Sequence, residues 1–421
     1  MKPELAAPAG TYEKLIWAVQ YGADAVYFGT EFGSLRAYAG NLTLDEAAKG
    51  LEFLHKSGKK GYITLNIYPF SDEYDKLLDI AGKLEDMNAD ALIVSDIGLI
   101  FELRKAGIKT PIHISTQANT TSSQTVLAYS QLGATRVNLA RELTLLQIEQ
   151  ICKDTRQAGI EIEVFIHGAV CFSYSGRCAI SDYLTGRKAN RGECTHPCRW
   201  KYYLVEEQRP DKYFPVFEDD RGQYIFNCKD LALFDFVQPL AQAGVASFKI
   251  EGRMKSVHYI ASVVSLYRQL IDGKKIGAEK CLQLLSRVKN RGYSSGFMKG
   301  SIEPADYSYE KSLSNSGPPK GEVSPKVGPP LADATFVGDI TDENSGSCVC
   351  FVRNKIYAGE KLEVLTPSGD IFETVMPNPL KTIDGEFAEF INNPQRIVLE
   401  QKLPAYSILR RIEMKEVEKG S

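Results

Sequence analysis

Five cysteines are concentrated in the middle of the chain, where their side chains could hold a metal centre. They stand among glycine, serine, arginine and asparagine residues, an unusual setting for cysteines that act as small buried hydrophobic groups. The stretch HGAVCFSYSGRCAISDYLTG (167–186) contains the first two, and the full set is Cys171, Cys178, Cys194, Cys198 and Cys228.

Two kinds of metal centre use such ligands. The spacing Cys194-x3-Cys198 is acceptable for a structural zinc ion, but the six residues between Cys171 and Cys178 are too many for a paired zinc knuckle. An iron–sulfur cluster takes four thiolates, which can come from separate loops. The spacing therefore favours the cluster and leaves zinc as the alternative.

Eight short β-rich segments in the first 251 residues form the framework that positions these cysteines. Most are apolar on both faces, as buried parallel strands are, and capped helical segments separate them. Strand and helix alternating eight times predicts an α/β fold, a (β/α)8 barrel of the TIM type. The expected strands are 4–10, 22–29, 61–67, 88–95, 111–118, 133–140, 160–168 and 244–251.

The eighth strand is delayed by some 80 residues, which is far longer than one helical connection. The excess, about 168–229, contains all five clustered cysteines. It leaves the C-terminal end of strand seven, the end at which barrel enzymes carry their catalytic groups. The Cys-rich insertion after strand seven is therefore expected to belong to the active site.

Further along, the pattern changes. Residues 1–310 are expected to form the TIM-like barrel with its insertion, and 311–332 are a linker rich in glycine, proline and serine. From 333 to 415 short segments alternate with period two, which predicts a small C-terminal antiparallel β-barrel.

Composition limits the classes of protein to which the chain can belong. It has 421 residues, 43% of them hydrophobic, and no apolar run long enough to span a bilayer. Nine cysteines, an odd number, and the lack of a visible export signal argue for a cytoplasmic protein without a disulfide framework. The net charge of −3 means that any binding of nucleic acid must use a local basic patch.

Several motifs resemble the collagenase-like peptidase family U32. EVFIHGAVCFSYSGRCAIS (163–181) resembles the family's signature, and NRGECTHPCRWKY (190–202), FKIEGRMKSVHYIA (248–261) and RGYSSGFMKG (291–300) resemble further blocks. Residues 337–367 are similar to the family's C-terminal β-barrel. The resemblance covers nearly the whole chain.

The resemblance implies a function that differs from the family's name. Its well-understood members are oxygen-independent hydroxylases or hydroxylation factors with a 4Fe–4S cluster. This chain is most similar to the branch that converts the wobble uridine of tRNA to 5-hydroxyuridine, with prephenate as the hydroxyl donor. The alternatives are a collagenase-like peptidase, a non-catalytic RNA-binding factor, and a hydroxylase of ribosomal RNA or quinone precursors. The resemblance is also compatible with a homo-oligomer, or a hetero-oligomer with another family member.

The resemblance also implies a set of cluster ligands. Cys171, Cys178 and Cys194 match in every branch, and the fourth ligand is either Cys198 or Cys228. The sequence alone leaves that choice open. No Gly-x-Ser-x-Gly or His-Glu-x-x-His motif supports the peptidase alternative.

Other residues are candidates for binding and catalysis. RNA needs cations for its phosphates and aromatic rings for its bases, and prephenate needs basic side chains for its two carboxylates. The catalytic residues are unknown, with candidates Glu163, His167 and Glu251 on or beside predicted strands. The expected prephenate-binding residues are Gln117, Arg141, Lys249 and Arg253. The expected RNA-binding residues are Arg187, Lys188, Arg191, Arg199, Trp200 and Lys201, for which a simple solvated surface is the alternative.

Overall fold

The computed structural model describes residues 2–34, 41–171, 173–198, 229–300, 332–342, 346–392 and 394–413 in full. It describes the backbone alone at 199, 203–206, 209–215, 217–219, 222–224 and 343. Contacts divide the chain into two compact units. The first comprises Met1–Leu15, Ala23–Met254 and Arg291–Pro330, and the second comprises Ile16–Gly22, Lys255–Asn290 and Leu331–Ser421.

The first unit is a closed barrel of eight parallel strands. In chain order its strands are β1 (Glu4–Pro8), β2 (Ala25–Gly29), β3 (Lys60–Leu65), β4 (Ala91–Val94), β5 (Ile112–Ile114), β6 (Ala134–Asn138), β7 (Glu161–Gly168), β8 (Tyr203–Glu206), β9 (Arg209–Pro215), β10 (Phe217–Asp219), β11 (Gly222–Tyr224), β12 (Asp230–Ala232), β13 (Ser247–Ile250) and β14 (Tyr293–Ser294). The barrel consists of β1–β7 and β13, and β13 closes it by pairing with both β1 and β7. The predicted TIM-like barrel is confirmed, with one strand in each expected segment, although β3 begins one residue earlier than expected, at Lys60.

Helices connect these strands, and their ends follow ordinary capping chemistry. Thr43 and Glu46 form a capping box at the start of α2, and Thr144 and Gln147 form another at α6. The helices are α1 (Tyr12–Gln20), α2 (Leu44–Lys56), α3 (Tyr74–Asp86), α4 (Ile97–Lys105), α5 (Ser123–Gln131), α6 (Leu145–Thr155), α7 (Ile180–Thr185), α8 (Val237–Ala243), α9 (Val257–Ile271) and α10 (Ala278–Leu285).

The Cys-rich insertion lies between β7 and β13, as predicted from the length of that connection. It contains α7 and the four strands β8–β11, which pair locally as β8 with β9 and β10 with β11. At its end β12 returns to the barrel and pairs antiparallel with the last residues of β7. The insertion thus begins and ends at the C-terminal end of β7.

The second unit contains an antiparallel sheet of eight strands, in the order β19-β18-β24-β15-β16-β23-β20-β21. Buried and half-buried side chains alternate along β16, so that Cys348 and Cys350 both face the core. The antiparallel C-terminal sheet agrees with the period-two pattern. The strands of this unit are β15 (Ala334–Glu343), β16 (Cys348–Val352), β17 (Ile356–Tyr357), β18 (Lys361–Leu365), β19 (Ile371–Val375), β20 (Leu380–Thr382), β21 (Phe387–Ala388), β22 (Phe390–Ile391), β23 (Gln395–Leu399) and β24 (Ile408–Ile412).

Helices α9 and α10 group with these C-terminal strands, although the expected domain boundary lay at residue 310. Of the linker expected at 311–332, residues 311–331 lie outside the described residues.

Candidate active site at the barrel mouth

An ionic network fills one side of the barrel interior. Glu163 on β7 is 1% exposed, and its Oε1 atom lies 2.7 Å from Nζ of Lys249 on β13. Its Oε2 atom accepts a hydrogen bond from Ser247 Oγ at 2.9 Å and lies 3.5 Å from Nη1 of Arg136. Arg136 Nη1 also donates to Glu4 Oε1 at 2.6 Å. Glu163, a candidate catalytic residue, and Lys249, a candidate prephenate-binding residue, therefore form an ion pair with each other.

Charges of this network shift the pKa values of Glu4 and of the nearby His113. Burial raises the pKa of Glu4, but the charge and hydrogen bond of Arg136 and the hydrogen bond from Tyr62 outweigh burial and lower it overall. Burial, together with the positive charges of Arg136 and Lys249, holds the pKa of His113 on β5 well below its ordinary value. His113 is therefore neutral at physiological pH, whereas the Glu4 carboxyl is ionised.

Buried polar side chains continue from this network towards the C-terminal ends of the strands. His167, the last residue but one of β7, packs with its ring centroid 5.5 Å from that of Tyr293. Glu251, just after β13, accepts a hydrogen bond from Tyr27 at 3.2 Å through its carboxylate. These are the other two catalytic candidates, and the structure places both at the C-terminal end of the barrel, which we call the barrel mouth.

Two arginines expected to bind prephenate are also at the barrel mouth. The buried Arg253 donates through Nη1 to Ser34 Oγ at 2.6 Å and to Thr64 Oγ1 at 3.1 Å. Gly29 makes room for this guanidinium, because a Cβ atom there would lie 2.7 Å from the same nitrogen. The Arg141 guanidinium lies over the ring of Phe165 at 4.4 Å. Both cations are thus held in fixed orientations, as recognition of a carboxylate requires.

The insertion is fastened over the barrel mouth by contacts with three loops. Arg191 forms a bidentate ion pair with Glu73 and also donates to the carbonyl of Tyr68 at 3.1 Å, both after β3. Ser175 N donates to Glu142 Oε1, after β6, at 2.8 Å. The side-chain hydrogen bonds from Arg191 are the main cause of the lowered pKa of Glu73.

The loop after β5 supplies the third contact. Gly176 packs closely against this loop, and a Cβ atom added to Gly176 would lie 2.1 Å from the Gln117 carbonyl oxygen. Gln117, an expected prephenate ligand, thus lies directly against the cysteine-bearing segment. The anchors Glu73 and Glu142 were missed by the sequence reasoning, because an acidic residue in a loop carries no signal of its distant partner.

The four described cysteines of the insertion differ from the buried cysteines of the rest of the chain. Cys171 is exposed, and Cys178, Cys194 and Cys198 are half-buried. None of these four described residues forms a disulfide, and the Cys194 sulfur accepts a hydrogen bond from the backbone N–H of His196 at 3.4 Å. Cys228 lies outside the described residues.

In donor type these cysteines suit a thiolate-bound metal centre. In position, the described part of the chain contains no three His, Cys, Asp or Glu side chains grouped closely enough to hold a metal ion. The donor types of Cys171, Cys178, Cys194 and Cys198 therefore fit a cluster, while the described residues alone do not form its ligand set.

The insertion also presents exposed basic and aromatic side chains. Arg187 and Lys188 are exposed, and Nζ of Lys188 lies 4.9 Å from the ring centroid of Phe70. Two tyrosines that the sequence reasoning did not single out, Tyr174 and Tyr183, are 63% and 89% exposed. The side chain of Arg199, and Trp200 and Lys201 as a whole, lie outside the described residues. Cations and free aromatic faces together are what a single-stranded RNA loop requires.

Within the described residues, no helix is both long and apolar enough to cross a membrane.

The model of Peptidase family U32 matches residues 10–306, and the model of the Peptidase family U32 C-terminal domain matches 332–410. The chain belongs to peptidase family U32.

The names of curated members of this family refer to different activities. The U32 chain is 36% identical to "tRNA hydroxylation protein P" of Escherichia coli (strain K12), over 88% of this chain and 87% of that protein. It is 35% identical to "tRNA hydroxylation protein P1" of Bacillus subtilis (strain 168), over 97% and 95%. It is also 33% identical to "Collagenase" of Porphyromonas gingivalis (strain ATCC BAA-308 / W83), over 70% and 73%. The two relatives named for tRNA hydroxylation thus match most of this chain, and the relative named collagenase matches a smaller share of it.

Proposed function

We propose that this chain hydroxylates the wobble uridine of tRNA to 5-hydroxyuridine without molecular oxygen, with a 4Fe–4S cluster as cofactor and prephenate as the hydroxyl donor. The observation that carries the proposal is the Cys-bearing insertion fastened over a charged barrel mouth. Identity of 36% and 35% with two proteins named for tRNA hydroxylation, over most of both chains, supports the same function.

The cluster is assigned to the insertion. Cys171, Cys178 and Cys194 would hold it, with either Cys198 or Cys228 as the fourth thiolate, since the described cysteines of this set lie on the insertion at the barrel mouth. When bound, such a cluster supplies redox or Lewis-acid chemistry.

The rest of the proposal concerns residues of the chain itself. Arg141 and Arg253 are fixed by their contacts with Phe165 and with Ser34 and Thr64, so they can each receive one carboxylate of prephenate. Lys249 is neutralised by Glu163, so it contributes less free positive charge than its sequence position suggested. The carbon–oxygen bond of the prephenate hydroxyl group would break as the oxygen bonds to C5 of the base. The prephenate carbon would take up the two electrons that the base loses, together with a proton. His167 and Glu251 are the candidates for the general base that accepts the proton leaving C5 of the base.

RNA binding is assigned to the exposed face of the insertion. Arg187 and Lys188 would contact phosphates, and Tyr174 and Tyr183 are free to stack on unpaired bases. Arg191 has a different role, because its guanidinium is engaged by Glu73. Arg199, Trp200 and Lys201 remain predicted members of this surface.

Analysis of modified nucleosides in cellular tRNA tests the proposal. Cells that lack the chain are grown without oxygen, so that no oxygen-dependent route masks the loss, and their tRNA is digested and analysed by mass spectrometry. Nucleosides built on 5-hydroxyuridine should fall, and the intact chain should restore them. Unchanged tRNA with altered ribosomal RNA or quinones would assign the chain to another activity of the family.

Peptidase activity is the second candidate, favoured by the relative named collagenase. A peptidase needs an activated nucleophile or an activated water molecule. Cleavage of gelatin by protease-free preparations, retained after Cys171→Ser and Cys178→Ser substitution, would support it and contradict the hydroxylase.

A further inference from the structure

The side-chain amide of Asn138 is buried at the barrel mouth without a hydrogen bond. Asn138 is the last residue of β6 and is 2% exposed, and its Oδ1 atom has no partner among the described residues. Arg136, two positions earlier, points into the barrel, where it contacts Glu163 and Glu4. Because side chains alternate along a strand, Asn138 faces the same interior, one step nearer the mouth.

Residues just after β3, β4 and β5 are joined to one another by hydrogen bonds. Asn66, which follows β3, donates through Nδ2 to Ser115 Oγ at 3.4 Å, and Ser95 Oγ donates to the Asn66 carbonyl at 3.0 Å. Ser115 Oγ in turn accepts a hydrogen bond from Gln117 N at 3.3 Å. Buried polar groups are nearly always paired, so the unpaired amide of Asn138 requires an explanation.

A second unpaired atom lies in the loop beside Asn138. The carbonyl of Thr120 accepts a hydrogen bond from Ala140 N at 2.9 Å, which joins the loop after β5 to the segment that follows Asn138. The Thr120 Oγ1 atom is also buried without a partner in the part of the chain that the structure describes. The same loop carries Gln117, against which Gly176 of the Cys-bearing segment packs. The unpaired atoms of Asn138 and Thr120 therefore lie next to the loop against which the Cys-bearing segment packs.

We propose that the Asn138 amide binds the polar edge of the target uracil base, which enters the barrel mouth beside the Cys-bearing segment. An amide offers an acceptor and a donor side by side, and uracil offers its N3–H donor beside its O4 acceptor, so the two groups form a bidentate pair. Enzymes that act on a nucleobase commonly take it out of the stack and read this edge in a pocket. The proposal rests on the proposed function, to which it adds a residue that reads the base.

The first part of the test separates a ligand-binding amide from a structural one. Asn138→Leu keeps similar volume and removes the amide, so an amide that serves only a ligand predicts an unchanged or higher melting temperature. Asn66→Leu is the matched control. Its amide has a protein partner, and its loss should lower the melting temperature. If Asn138→Leu lowers it as much as the control does, the amide is structural, through a buried water molecule for example, and the proposal is overturned.

The second part measures function in cells that lack the native chain. We expect Asn138→Leu to form about 10- to 100-fold less 5-hydroxyuridine-derived nucleoside than the wild-type chain, since two hydrogen bonds to the base are lost. Binding of whole tRNA should change less than about twofold, because phosphate contacts dominate affinity. If the wild-type chain restores modification and Asn138→Leu restores it equally, this inference fails and the proposed function stands. If the wild-type chain itself restores nothing, the proposed function fails, and the inference fails with it.

Discussion

Lys249 and Glu163 form an ion pair inside the barrel, with 2.7 Å between Nζ and Oε1, and both side chains are at most 5% exposed. The pair joins adjacent strands β13 and β7, and Arg136 extends it towards Glu4 on β1. Charges buried this deeply persist only when they are compensated. The network therefore links the strands that carry His167, Glu251 and the insertion.

Removal of one member should be strongly destabilising. Glu163→Leu leaves Lys249 without its carboxylate and removes one partner of Arg136, so we expect the free energy of unfolding to fall by about 3–5 kcal/mol. Urea unfolding measures the loss. Asp79→Ala is the control, because its pair with Lys83 is equally short, at 2.6 Å, but exposed on α3, and it should cost less than about 1 kcal/mol. Equal losses in the two variants would contradict a stabilising role for the buried network.

Buried histidines should make stability depend on pH. Burial and the charge of Arg410 lower the pKa of His258 to about 3, and burial lowers that of His113 well below 6.5. In the unfolded chain both take up a proton near pH 6.5, while in the folded chain they stay neutral. The free energy of unfolding should therefore fall as the pH drops below 6.5, by up to about 1.4 kcal/mol per pH unit for each histidine.

His258→Gln provides the check on this prediction. Urea unfolding of the wild-type chain and the variant is compared between pH 5 and 7.5, above the ordinary pKa of 4.5 at which Glu4 would contribute. The variant should show a shallower loss of stability on the acid side. Parallel curves for the two proteins would mean that His258 is not the source of the slope.

The ion pair between Arg191 and Glu73 should hold the insertion on the barrel. Arg191→Glu and Glu73→Arg each place like charges together, so hydrogen exchange of the amides at 173–198 should become about 10-fold faster. The exchanged pair, Arg191→Glu with Glu73→Arg, restores opposite charges and should return exchange close to the wild-type rate. If the double variant exchanges as fast as either single variant, the pair does not anchor the insertion.

The cysteines of the insertion should separate into ligands and one spare residue. Serine is placed singly at Cys171, Cys178, Cys194, Cys198 and Cys228, and iron and sulfide are measured after anaerobic purification. We expect about four irons and four sulfides per chain, lost in four variants and kept in one, which is Cys198→Ser or Cys228→Ser. Cys152→Ser, at a buried helical position, is the control that should keep the cluster. Iron retained after both replacements, or stoichiometric zinc without sulfide, would contradict the assignment.

The barrel could be predicted because its signals are local. Segments such as ALIV and AVYFG are apolar on both faces, and parallel strands buried under helices require such runs. The insertion could be predicted for an equally simple reason, since one connection is far too long for a helix. Period-two alternation around Cys348 and Cys350 identified the antiparallel C-terminal strands in the same way.

The arrangement of the site could not be predicted, because it depends on partners far apart in sequence. Arg136 stands in the middle of the strand ATRVN, but its partner Glu4 is 132 residues away. Arg191 is part of a basic run, yet Glu73 engages it from 118 residues away. Periodicity indicates that a charged side chain points inward, and only the folded barrel shows which charge it meets.

Reaction of the purified chain with tRNA is the most direct test of the proposed chemistry. Anaerobically purified protein is incubated with prephenate and with tRNA from cells that lack the chain, and the nucleosides are then analysed by mass spectrometry. The account predicts 5-hydroxyuridine at the wobble position, dependent on prephenate and absent with Cys178→Ser. Iron-loaded protein that leaves the tRNA unmodified, or hydroxylation that persists in Cys178→Ser, would contradict it.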